Sequence, residues 1–158
     1  MWKTMLATVV LAMMPVGELR GALPVALVVY KLPVALAVAL AVLGNMLPIY
    51  FLLRYIGPVT EWMSGRSGIV DRFVLWLFER TRRKLSERVE RYSYWALALF
   101  VAVPLPVTGA WTGALAAFVF GLPRQKSFIA ILIGVCISAS IVTVLTLGSV
   151  AAVLNLLA

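Results

Sequence analysis

Apolar runs too short to cross a bilayer alternate along this chain with runs long enough to do so. Residues 4–14 and 22–30 are apolar but short, whereas 34–56 and 128–157 are long. A helical crossing needs about 20 residues at a rise of about 1.5 Å each. Between the first two short runs lies Met14-Pro15-Val16-Gly17-Glu18-Leu19-Arg20-Gly21-Ala22-Leu23-Pro24, with two prolines, two glycines, an acid and a base. Proline removes a backbone donor and clashes with the preceding turn. An ionisable side chain at membrane depth costs on the order of 2.5–3.5 kcal/mol. A segment that bears both is expected to be a broken helix lining a site. Residues 4–31 therefore read as a re-entrant hairpin of two half-helices, ended by Lys31-Leu32-Pro33. Residues 34–56 read as a transmembrane helix, stopped by Gly57-Pro58.

The plan recurs. Residues 93–103 and 116–120 are short apolar runs around Pro104-Leu105-Pro106-Val107-Thr108-Gly109-Ala110-Trp111-Thr112-Gly113-Ala114-Leu115. They predict a second hairpin over 93–122, ended by Gly121-Leu122-Pro123-Arg124 and followed by a transmembrane helix over 128–157. Gly17-x-x-x-Gly21-Ala22-Leu23 matches Gly109-x-x-x-Gly113-Ala114-Leu115, and Tyr30-x-Leu32-Pro33 matches Phe120-x-Leu122-Pro123. Gly44 follows Pro33 as Gly134 follows Pro123. The expected fold is an all-α integral membrane protein with two repeats, 1–57 and 93–158, in a single membrane domain. A hairpin starts and ends on one side, and each long helix crosses once, so the repeats have inverted topology.

Composition agrees: 63% of the 158 residues are hydrophobic, which excludes an ordinary soluble domain. The net charge is +8, and most of the charged residues lie between Arg54 and Arg91, which points to anionic lipid headgroups rather than nucleic acid. Residues 59–67 read as loop and 69–91 as one or two amphipathic helices. There Phe73, Trp76 and Leu77 share a face that Leu85, Val89 and Tyr92 continue. By the positive-inside rule the basic segment 58–92 and the loop 121–127 are cytoplasmic, and both termini lie outside. There is no histidine and one cysteine, so no metal site and no cofactor are expected. One embedded acid with no nucleophile–base spacing argues against an enzyme.

Inverted repeats with broken helices place their site where the two breaks meet. The second half-helix of each hairpin offers free N–H groups and a positive dipole end there. Gly17, Gly21, Gly109 and Gly113 are expected to permit close backbone approach. Arg20 can grip phosphate or carboxylate through two parallel bonds. Glu18 is the only acid outside 61–90. Ionised, it repels an anion; protonated, it admits one. A fixed Glu18–Arg20 or Glu18–Arg54 pair is the structural alternative. Thr108 and Thr112 can donate hydroxyls or cap the half-helix, Trp111 can close the pocket or sit at an interface, and Asn45 is a polar residue inside a span that can face the site.

On Gly17-Glu18-Leu19-Arg20-Gly21-Ala22-Leu23-Pro24, Gly44-Asn45 and Pro104-Leu105-Pro106-x-Thr108-Gly109-Ala110-Trp111-Thr112-Gly113, nearly the whole chain resembles the putative small multi-drug export family, which is similar to the DedA superfamily. The resemblance implies two re-entrant hairpins in inverted orientation. It makes Glu18 the embedded acid and Arg20 the adjacent base, with Pro104 and Pro106 opening the second hairpin. Val107 stands where that pattern has glycine. Members of the superfamily are implicated in moving polyprenyl-phosphate carriers, in lipid scrambling, and in membrane-potential and drug-sensitivity effects. The expected function is a proton-coupled transporter or flippase of an anionic, phosphate-bearing lipid. The alternatives are a multidrug-type exporter of small compounds and a non-transporting scaffold. Two spans and two hairpins are few to enclose a site, so a homodimer packed through 128–157 is expected.

Overall fold

The computed structural model describes residues 2–64, 87–104 and 109–157, with side chains for 2–59, 92–104 and 109–157. The amphipathic segment predicted over 69–91 therefore lies largely outside the described residues. Every described element is helical: α1 (Trp2–Met13), α2 (Glu18–Pro24), a π-helical turn (Val25–Val29), α3 (Val34–Ser64), α4 (Glu87–Ala102), α5 (Ala110–Val119) and α6 (Arg124–Leu157). Two of these, Val34–Val59 within α3 and Arg124–Leu157, are long and apolar enough to cross a membrane. The described residues are consistent with an all-helical membrane protein.

The first break forms as the sequence demands. Pro15 and Gly17 stop α1. Gly17 turns the chain at φ +98° and Glu18 follows at φ +44°, the left-handed region that glycine tolerates and other residues rarely enter. α2 then starts with Gly21 N–H donating to Gly17 O at 2.9 Å. Pro24 lies inside the helical path and cannot donate to the Arg20 carbonyl four residues back. The turn after it widens: Tyr30 N–H donates to Val25 O at 3.0 Å, five residues back, a π-type bond of the kind that absorbs a local mismatch.

The turns before the two long helices share one geometry. Lys31 and Gly121 both have positive φ, +50° and +63°. Leu32 and Leu122 are both 8% exposed. The Pro33 carbonyl accepts from Ala37 at 2.9 Å and the Pro123 carbonyl from Ser127 at 3.0 Å. α1 packs on α3 and α4 on α6, while α2 crosses to α6 and α5 crosses to α3. Glycine seats both long helices. A Cβ on Gly44 would lie 2.6 Å from the Val9 carbonyl oxygen, and one on Gly134 would lie 2.5 Å from that of Ala98.

α3 does not stop at Gly57-Pro58 but runs to Ser64 with Pro48 and Pro58 inside it. Each proline removes one bond, to the Gly44 and Arg54 carbonyls. Gly57 has another use: its bare surface seats Arg124, whose guanidinium lies 3.2 Å from where a Cβ would stand. Residues 59–64, expected as loop, are helical, and α6 starts at Arg124 rather than 128. α3 and α6 run antiparallel. Tyr50 meets Phe128 edge-on at 6.2 Å, and further along, Asn45 shares a cavity with Val135 and Ser138. The core between the helices is built of small residues: Ala12, Ala22, Ala26, Ala37, Ala41, Ala110, Ala114 and Ala139 are all buried. Small side chains let the backbones approach closely where water gives no hydrophobic drive.

Candidate functional site

Glu18 is 9% exposed and its carboxylate reaches across the interior to the start of α5. Oε2 accepts from Ala110 N–H at 3.2 Å and Oε1 from Trp111 N–H at 3.3 Å. These are N–H groups that the first turn of a helix leaves unsatisfied. They carry the positive end of the α5 dipole, which favours an anion. Gly109 makes the approach possible: a Cβ there would collide with the carboxylate itself. Its backbone is extended at φ −178°, so glycine is needed for space and not for conformation.

The rest of the α5 start is satisfied locally. Thr112 Oγ1 accepts from Gly109 N–H at 2.9 Å and lies 3.1 Å from Gly109 O as a donor. Thr112 therefore caps its helix, the second of the two roles its sequence position allowed. Gly113 N–H donates to Gly109 O at 2.8 Å, and a Cβ on Gly113 would lie 2.6 Å from Val101 Cγ2.

Glu18, Leu19, Arg20, Asn45, Val101, Ala110, Val135 and Ser138 enclose a cavity of about 10 Å³, the room of roughly one water molecule. Asn45 is 2% exposed, and its Oδ1 has no hydrogen-bond partner among the described residues. Nor does the buried Trp111 Nε1. Arg20 is half-buried beside Glu18 and within reach of its charge. Asn45 stands near the middle of the Val34–Val59 span, which puts this cluster close to the midplane of a hydrocarbon core about 30 Å thick.

Several sequence expectations change here. The start of α5 is not open to an outside anion, because Glu18 occupies it. Glu18 forms no pair with Arg54, which lines a separate groove nine residues along α3 from Asn45, or about 14 Å at helical rise. Gly17 and Gly21 mark no close approach: both are exposed, with nothing within 4 Å of an added Cβ. Gly17 serves its positive φ instead. Pro104 is described at the end of the α4 segment, whereas Pro106 and Thr108 lie outside the described residues. Ser138 also lines the cavity, and its placement follows only from the antiparallel register of α3 and α6.

The groove at the level of Arg54 has a volume of about 530 Å³ and is lined by Tyr50, Leu53, Arg54, Arg124, Gln125, Phe128 and Ile129. Among the described residues no His, Cys, Asp and Glu cluster could hold a metal ion.

The model of a family described as putative small multi-drug export protein matches residues 18–141, from Glu18 through most of α6. No curated protein and no solved structure matches the chain. The chain belongs to the small multi-drug export family, and its description makes this an export-type membrane protein.

Proposed function

We propose that this small multi-drug export family member moves an anionic amphiphile, a lipid with a phosphate headgroup such as a polyprenyl phosphate, in exchange with protonation of Glu18. The observation that carries the reading is the pair of hydrogen bonds from Ala110 and Trp111 to the Glu18 carboxylate. A helix N-terminus with a positive dipole end is an anion site, and here the protein's own carboxylate fills it. Protonation removes the charge that holds Glu18 there and frees the α5 N–H groups for a substrate anion, with Arg20 beside them. Proton and anion binding are then positively linked, and anion affinity rises as pH falls. The cavity of about 10 Å³ is too small for a phosphate, so α2 and α5 must separate as the substrate enters.

The two halves are read as inverted repeats of re-entrant hairpin and crossing helix, as in the DedA superfamily that the motifs resemble. The matched turns at Lys31–Pro33 and Gly121–Pro123, the matched glycine seats and the antiparallel α3 and α6 support this. The topology keeps the basic side cytoplasmic and both termini outside, and two copies pack along α6.

The family's description favours a second reading, in which the cargo is a small cation and Glu18 is its counter-charge. The two readings predict opposite signs. A cation competes with the proton at Glu18, so its affinity rises with pH, whereas that of an anion falls. Proteoliposomes carrying a fluorescent phosphatidate, bleached from outside by dithionite, measure the first directly. Wild type should flip the lipid faster at pH 6 than at pH 8, Glu18→Gln should lose the pH dependence, and Arg20→Ala should lose the flipping. Flipping equal in all three and in protein-free vesicles refutes the anionic-lipid reading.

A further inference from the structure

The groove between α3 and α6 brings together two like charges that the midplane cluster does not use. Arg124 lies across α3 at Gly57, and Arg54 precedes Gly57 by three residues, on the same helical face. Both guanidiniums border the groove of about 530 Å³, and neither makes a hydrogen bond or ion pair among the described residues. Lys126, the third cation at the start of α6, turns elsewhere and sits 5.5 Å from the Tyr94 ring centroid. Among the described residues the remainder of the lining is apolar and aromatic: Tyr50, Leu53, Phe128 and Ile129, with Tyr50 and Phe128 in edge contact. Gln125 adds one neutral polar group.

Two guanidiniums on one face repel each other unless something negative lies between them. A guanidinium presents a planar fork that matches the oxygens of a phosphate in pairs. The volume falls in the range of small-ligand sites, about 300–1,000 Å³. Depth decides between an ion from water and an amphiphile from the bilayer. Arg54 lies twenty residues after Val34, the first residue of α3, about 30 Å at helical rise and so about one hydrocarbon-core thickness away. That is the boundary between headgroups and acyl chains, where arginine places its stem in hydrocarbon and its head at the interface. Exposed Tyr50 and Ile129 and half-buried Phe128 give this level an apolar and aromatic lining.

We infer that the Arg54–Arg124 groove is a binding site for a bilayer amphiphile, whose phosphate monoester headgroup is clamped between the two guanidiniums while its chain lies on Tyr50, Phe128 and Ile129. It is a docking position distinct from the midplane cluster and about 14 Å from Asn45 along α3. As a waiting position for cargo it rests on the proposed function; as a binding site it does not.

The test is native mass spectrometry of the full chain from dodecyl maltoside micelles, titrated with dioleoyl phosphatidate, with phosphatidylcholine in a parallel series. Wild type should retain one phosphatidate in preference to phosphatidylcholine. Arg54→Gln and Arg124→Gln should each weaken retention about tenfold, Arg54→Lys should fall between, and Lys3→Gln, at the exposed N-terminus, should match wild type within twofold. Inorganic phosphate at millimolar concentration should not displace the lipid. Retention unchanged in the double Arg54→Gln, Arg124→Gln variant overturns the assignment. An equal loss in Lys3→Gln does so too, because it marks a nonspecific charge effect, and displacement by inorganic phosphate marks a site for free anion. Because the readout is equilibrium binding, these outcomes stand whether or not Glu18→Gln changes transport.

Discussion

Replacing Gly109 with alanine tests the central contact with a single methyl group. The new Cβ would lie 2.6 Å from Glu18 Oε1 and 2.7 Å from its Cδ, closer still to Oε2, and side chains do not tolerate such distances. The backbone itself offers no resistance, since Gly109 is extended and any residue adopts that conformation. The whole effect must therefore come from driving the carboxylate off Ala110 and Trp111. A hydrogen bond to a charged group contributes about 1.5–3 kcal/mol. At 3.2 and 3.3 Å the lower figure applies to each, and the sum is about 3 kcal/mol. Equilibrium unfolding in mixed micelles measures it. Gly21→Ala is the internal control. It lies within α2 with nothing within 4 Å of the added Cβ, so it should stabilise the protein by about 0.5–1 kcal/mol through helix propensity. If Gly109→Ala stays within about 0.5 kcal/mol of wild type, the carboxylate does not hold α2 and α5 together and the argument from Glu18 to α5 is wrong.

Asn45→Leu removes a buried acceptor with no protein partner and should stabilise the fold by about 1 kcal/mol, since an unsatisfied buried polar group costs about 1–3 kcal/mol. A lower unfolding midpoint in urea-containing micelles would instead mean that the amide is hydrated through the cavity beside Glu18. Gly44→Ala and Gly134→Ala should each destabilise by about 1–3 kcal/mol, because the added methyl meets a backbone carbonyl that cannot move aside. Gly148→Ala, with open space around it, should not. A large loss at only one of the two seats in the same unfolding assay would break the equivalence of the halves.

What could be read from the chain was whatever depends on local chemistry. Pro15 and Gly17 announce a break, the long runs around 34–56 and 128–157 announce crossings, and the Leu-Pro turns repeat because both must end one helix and start another in few residues. The matched glycines at 44 and 134 mark two places where a helix meets a neighbouring backbone carbonyl closely. Readings failed where a residue's role is set by a distant partner. Gly57-Pro58 looks like a stop, yet Gly57 is a seat for Arg124, and nothing within ten residues of it says so. Gly17 and Gly109 occupy matching places in the G-x-x-x-G-A-L pattern, but one supplies a positive φ and the other supplies space. Glu18 was legible as an embedded acid. Its hydrogen-bond partners 92 and 93 residues away were not, because the backbone N–H groups it uses leave no mark in the residue type.

The position of Glu18 also resolves a conflict in the sequence, which puts an acid next to a base in a segment that otherwise suits an anion. A permanently open helix N-terminus near the midplane would leave about half a positive charge in hydrocarbon, with Arg20 adding a full one. Both would have to be stabilised in the absence of substrate. Glu18 neutralises them in the resting protein at the expense of occupying the site. Glutamine at 18 would keep one acceptor and lose the charge, so the α5 start would be less well satisfied at every pH. Replacement should therefore reduce stability by about 1–2 kcal/mol, even where no substrate is present. If Glu18→Gln alters transport but leaves unfolding untouched between pH 5 and 8, the carboxylate serves the cargo and not the resting fold, and the exchange of internal for external anion proposed for α5 does not operate.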